Sequence, residues 1–238
     1  FYKVLQTKLI HFEKPIYFLP NIHVYKQFII QGIPSSINML TMAVGSLILT
    51  YFVSHYGMYA VAGYGIGFRV EQLMLLPALG LSTAILTLVS NNYGAKKYDR
   101  VVKILRISLK YGFFISTVGI ITLTIFGKFI ISLFDSNEIV VQFGLNYLLV
   151  EIWIFYAYIV LFICVSTLQA INKPKLIMYI GLYRQIFAKF LISYLVVKYF
   201  ELDFIYLWFG ILFMIYSASI FAYFYTNNLI KNICKQGI

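Results

Sequence analysis

Arg69 and Glu71 stand two residues apart inside a long apolar run, Glu151 stands alone inside a later one, and Arg184 shares another with Lys189. Charged side chains within a hydrophobic segment cost several kcal/mol, so they pair with one another or line a water-filled path. With a helical rise of about 1.5 Å per residue, Arg69 lies about 14 Å from the Ala60 end of its run and Glu71 about 17 Å. By the same rise Glu151 lies about 18 Å from Ile139, and Arg184 about 12 to 15 Å from the opposite membrane face. In a hydrocarbon core about 30 Å thick, all four sit near the midplane. Arg69 and Glu71 point to different sides of one helix, so each needs a partner elsewhere. Glu71–Arg184 and Arg69–Glu151 are the pairings that the depths allow. Such a set is either a clamp between helices or a proton or cation site whose occupancy alters the clamp. Spacing alone leaves both open.

A second rank of polar residues shares these runs. Asn38, with Ser36, lies in the first; Asn146 and Gln169 lie in the fourth, and Gln185 in the fifth. They either line a polar cavity or hydrogen-bond between helices. Gly63, Gly65 and Gly67 imitate a phosphate loop, but no strand precedes them and no Lys-Ser/Thr follows, so they are read as sites of close helix packing. Cys164, the methionines and the aromatic stripes are read as packing. No nucleophile–base pair, hydrolytic carboxylate pair or metal-ligand spacing is present, and His11, His23 and His55 are scattered. The expectation is a protein that is not an enzyme and carries no cofactor.

The elements that must position these groups are membrane helices. The chain is 61% hydrophobic and 11% charged with a mean hydropathy of +0.85, where a soluble domain carries about a quarter charged residues. Six apolar runs are long enough to span a bilayer: about Gln27–Val53, Ala60–Val89, Leu105–Leu133, Ile139–Ala170, Leu176–Tyr199 and Phe204–Tyr225. Pro34 and Pro77 are the expected kink sites. Of the 19 Lys and Arg residues, 14 lie in Phe1–Lys26, Asn91–Lys110, Asn172–Lys175 and the tail after Asn227, and only Lys128 and Lys198 flank the opposite connections. That bias places both termini in the cytoplasm. The net charge of +11 is spread between apolar runs rather than gathered in one patch, which argues against nucleic acid. The expected organisation is a cytoplasmic segment over residues 1–26, a six-helix transmembrane body over 27–226 and a cytoplasmic tail over 227–238. Phe1 opens without an initiator Met, and the chain is read as a piece of something longer.

One stretch carries a family pattern. Ala62-Gly63-Tyr64-Gly65-Ile66-Gly67-Phe68-Arg69-Val70-Glu71-Gln72, with Pro77-Ala78-Leu79-Gly80-Leu81 and Ala84, resembles the eighth helix of the MATE (multidrug and toxic compound extrusion) transporters. The exit Val89-Ser90-Asn91-Asn92-Tyr93-Gly94-Ala95-Lys96 is similar to that family's Val-Gly-Gln-Asn-x-Gly-Ala loop, with Ser90 and Asn91 replacing Gly and Gln. Gly32-Ile33-Pro34 resembles the start of its seventh helix, and Leu168-Gln169-Ala170 with Lys173-Pro174 the end of its tenth.

The resemblance implies an all-α polytopic fold, here the C-terminal six-helix lobe of a two-lobe antiporter, with an N-terminal lobe as its partner. It implies export of amphipathic, often cationic drugs across the plasma (inner) membrane in exchange for protons or sodium ions. Members of the family with an acid in the seventh helix find no counterpart here, since Gln27–Val53 contains none. A flippase for lipid-linked sugars is the alternative that Arg69, Arg184 and Lys189 keep open, and a structural membrane subunit is a third.

Overall fold

The computed structural model describes residues 22–236, all of them in helices joined by short turns. The proposed segment 1–26 therefore falls mostly outside the described residues. Six helices follow in order: α1 (Ile22–Val53), α2 (Met58–Gly94), α3 (Tyr98–Ser132), α4 (Glu138–Ala170), α5 (Pro174–Tyr199) and α6 (Phe204–Gln236). The helices α2 to α6 are long and apolar enough to cross a membrane, and in α1 the apolar stretch among the described residues is Leu40–Tyr56.

Three boundaries move from their sequence-based positions. The expected connection Asn91–Lys110 is helical except at Ala95–Lys97, because Val101 and Leu105 bury themselves against Val89 and extend α3 below the apolar run. Lys96 makes the turn with a φ of 57°. The tail expected from residue 227 continues α6 to Gln236, with Ile230 buried in the same cluster. Helix α2 passes through Pro77 as continuous helix.

α4 is the central column. It is apolar all round, as a helix buried on most sides must be. Its approach to α2 is through two facing glycines. A Cβ on Gly63 would meet the Val140 carbonyl oxygen at 2.6 Å, and one on Gly144 would meet the Gly63 carbonyl oxygen at 3.2 Å. Helix α3 meets α4 through the buried stripe Ser108, Gly112 and Ser116, one small residue per turn, which lets backbones approach closely in lipid. The Ser116 hydroxyl donates to the Phe155 carbonyl at 3.2 Å. α6 closes the other side, with the Tyr216 hydroxyl donating to the Trp153 carbonyl at 2.9 Å. Helix α1 leans on α5, where a Cβ on Gly45 would lie 2.7 Å from the Gln185 carbonyl oxygen. The turn after α1 is tied to the turn after α5 by the Tyr56 hydroxyl, which donates to the Leu202 carbonyl at 2.8 Å.

α5 is not a plain α-helix. Tyr183–Phe187 and Leu195–Tyr199 are π-helical turns, a conformation that widens the turn and is found frequently at functional sites.

Candidate functional site: a charged cavity inside the helical body

A cavity of about 290 Å³ lies between the α1–α5 pair and the α2, α4 and α6 group. Its polar lining is supplied by Ser46, Tyr64, Glu71, Gln72, Tyr147, Glu151, Tyr158, Arg184, Gln185 and Lys189. The helix period explains why one face of α2 and one of α4 meet there. Gly67 and Glu71 are one turn apart on α2, and Tyr147 and Glu151 are one turn apart on α4. Gly67 leaves the space that the Tyr147 ring occupies, since a Cβ there would come within 2.5 Å of Tyr147 Cδ1. The ring is further held by Trp208 at 4.5 Å and Tyr64 at 5.4 Å between centroids. Held in that way, the Tyr147 hydroxyl donates to Glu71 Oε2.

Both carboxylates are enclosed, Glu71 at 2% and Glu151 at 3% exposure. Glu151 Oε2 has no hydrogen-bond partner among the described residues. On α5 the Lys189 ammonium donates to Gln185 Oε1 at 2.9 Å, and the Arg184 guanidinium lies 5.7 Å from the centre of the Tyr158 ring, within cation–π range. Glu71 feels the charges of Lys189 and Arg184, and Glu151 feels first that of Glu71 and then that of Lys189. These contacts are electrostatic without a direct ion pair among the described residues. Two acids and two bases thus share one cavity, with one carboxylate oxygen unsatisfied. Burying such an oxygen is costly unless a proton, cation or donor reaches it.

Of the six residues singled out from sequence, five can be placed relative to this cavity. Glu71, Glu151 and Arg184 come together in it; Arg69 does not. Two residues from Glu71 on the helix, Arg69 is exposed on the far side, so the Arg69–Glu151 pairing is not formed. Gln169 is exposed near the end of α4, where its carbonyl accepts from the Asn172 amide at 3.1 Å. The side chain of Asn38 lies outside the described residues. Gln185, named among the polar residues of the fifth run, and Lys189, named for the flippase alternative, also line the cavity; Tyr147 does so without having been singled out. The aromatic residues had been read as packing, and for Tyr147 that reading omitted the hydroxyl's reach to Glu71.

Comparison with known proteins now bears on the geometry. The MatE family model matches residues 34–195. The chain belongs to the MatE family. Among its curated relatives, the chain is 30% identical over 122 residues to "Probable multidrug resistance protein YoeA" of Bacillus subtilis (strain 168), covering 51% of this chain and 26% of that protein. It is 29% identical over 125 residues to "Multidrug export protein MepA" of Staphylococcus aureus (strain N315), covering 52% of this chain and 27% of that one. Among solved structures, a MOP-superfamily transporter from Pyrococcus furiosus, reported with a binding pocket of reversed polarity, matches with a TM-score of 0.85 at 19% identity. That match covers 92% of this chain and 50% of the other. An outward-facing multidrug resistance MATE transporter matches equally well, at 0.85 and 19%, over 92% and 49%. The chain thus spans about half the length of those transporters and has their fold; it is an all-helical integral membrane protein.

Proposed function

We propose that this MatE-family chain forms one six-helix lobe of a secondary active antiporter that exports amphipathic, cationic compounds in exchange for protons or sodium ions. The observation that carries the reading is the enclosed cavity in which Glu71 and Glu151 face Arg184 and Lys189 while Glu151 Oε2 lacks a partner. A proton or small cation arriving at Glu151 changes the charge balance against Lys189, and with it the electrostatic link between α4 and α5. That gives a coupling ion leverage over the relative position of two helices. The relatives named for multidrug resistance and export support the cargo class. A second six-helix lobe is the partner that such a machine needs, and the bilayer its surroundings. The excess of Lys and Arg at one membrane face supports cytoplasmic termini in the plasma membrane.

A second reading draws on the two cavity cations. Arg184 and Lys189 suit the phosphates of a lipid-linked cargo, as a flippase would require.

Efflux of a fluorescent lipophilic cation from cells carrying the full-length protein tests the first reading, comparing wild type with Glu71→Gln and Glu151→Gln at matched membrane levels. Loss of efflux with normal insertion is the expected result. Full efflux in both variants would remove the carboxylates from the transport cycle. Absence of efflux by the wild type, with movement of an anionic lipid-linked cargo, would favour the flippase. Proteoliposomes under an imposed pH or sodium gradient then identify the coupling ion.

A further inference from the structure

Two openings that share a wall lie along α5 and α6 and have no lining residue in common with the charged cavity. The first, about 560 Å³, is apolar and is walled by Leu176, Tyr179, Ile180 and Tyr183 of α5 with Ala218 and Phe221 of α6. The second, about 470 Å³, adjoins it through Leu176 and Tyr179 and is rimmed by Asn172, Lys173 and Lys175. Ile30 and Tyr225 complete that rim, and Lys26 stands one turn before Ile30 on α1. Among the described residues, no acidic one lines either opening. Lys173 and Lys175 are both exposed, and among the described residues neither ammonium group has a hydrogen-bond or ion-pair partner.

The groove has two ends of unlike chemistry. At the Lys173 end it is cationic, and at the other end the Tyr183 and Ser217 hydroxyls meet at 3.2 Å. From Pro174 to Tyr183 the helical rise gives about 14 Å, close to half of a hydrocarbon core about 30 Å thick. A cationic mouth at the membrane surface, followed by an apolar channel one leaflet deep, matches a molecule with an anionic head and a hydrocarbon tail. A free anion would leave the apolar part unused, and a cationic drug would be repelled at the mouth. Basic pockets between membrane helices at the cytoplasmic face bind anionic headgroups by the same chemistry.

We propose that this groove holds one anionic phospholipid of the leaflet at the Lys173–Lys175 end, its phosphate on the two lysines and an acyl chain between α5 and α6. The assignment rests on the membrane orientation given above but not on the transport cycle, because lipid retention is read without any efflux.

Native mass spectrometry of the purified full-length protein, released from mixed phosphatidylglycerol and phosphatidylcholine micelles, tests it. The wild type is expected to retain phosphatidylglycerol in preference to phosphatidylcholine. Lys173→Gln with Lys175→Gln should weaken that retention roughly five-fold per lysine, about twenty-five-fold together. The double Lys→Arg variant should restore it. Ser217→Phe, which fills the apolar end and leaves the lysines in place, should also lower retention. Thermal melting in phosphatidylcholine alone checks that each variant is folded. Equal retention of the two lipids, or undiminished retention in the Gln variant, would overturn the proposal. So would displacement of the lipid by glycerol phosphate at equal concentration, which would make the site one for a soluble phosphate, or by a lipophilic cation, which would make it a cargo site.

Discussion

Adding a single methyl group at Gly67 tests how the cavity is built. An alanine Cβ at that position would sit 2.5 Å from Tyr147 Cδ1, closer than real side chains tolerate. The ring has little room to retreat, being 2% exposed and packed on Trp208 and Tyr64. Overpacking of this kind costs about 1–3 kcal/mol. Displacing the ring also breaks the Tyr147–Glu71 hydrogen bond, worth about 1.5–3 kcal/mol where a partner is charged. The better helix propensity of alanine offsets about 1 kcal/mol. The net loss is about 1.5–5 kcal/mol, which at about 2–4 °C per kcal/mol lowers the melting midpoint of a body of this size by roughly 3–20 °C. Gly65→Ala is the internal control. It lies two residues away on the same helix, and a Cβ there meets nothing within 4 Å, so it should melt at or slightly above wild type. Melting of the two variants of the full-length protein in one detergent decides the matter. A Gly67→Ala protein as stable as wild type would refute the claim that this glycine seats Tyr147.

Three further outcomes follow from the same geometry. Tyr147→Phe keeps the ring and removes the donor to Glu71, so it should lower stability by about 1–3 kcal/mol and reduce efflux, read by melting and dye export. Gln185→Leu takes away the acceptor of Lys189 and should abolish most efflux, whereas Gln169→Leu, at an exposed position, should change stability by less than about 0.5 kcal/mol and leave efflux intact. Tyr56→Phe cuts the tie to Leu202 and should speed hydrogen–deuterium exchange around residues 200–204 while changing the rest of the chain little.

Much of the helical plan was legible because apolar runs of bilayer length leave few alternatives. The start of α4 is the clearest case: its apolar run begins at Ile139, and Asn137 caps the helix by accepting from the Ile139 amide at 2.9 Å. The ends of α2, α3 and α6 were less legible, since Tyr98–Arg106 and Asn227–Gln236 are polar on one face and their burial depends on neighbours that hydropathy does not see. Depth along a helix correctly grouped Glu71, Glu151 and Arg184 but says nothing of direction around it. Arg69 shares their depth and faces the other way. Lys189, named only for the flippase alternative, was left out of that group for a different reason. In an α-helix, five residues on from Arg184 points well away from it, whereas the π turn at Tyr183–Phe187, with its i to i+5 bonding, brings the two basic groups onto one wall. Nothing in residue type announces a π turn.

The same turn ties chain length to facing direction. A π turn holds one residue more than the α-helical ladder needs, so removing a single residue between 183 and 187 would restore the α ladder there. Everything beyond it would then swing by about 100° around the axis. Lys189 would leave the cavity with its sequence neighbours unchanged, and one of the apolar side chains beside it would enter. Within this helix, a gap of one position in an alignment of relatives is a change in what the cavity presents, even where every aligned residue is identical.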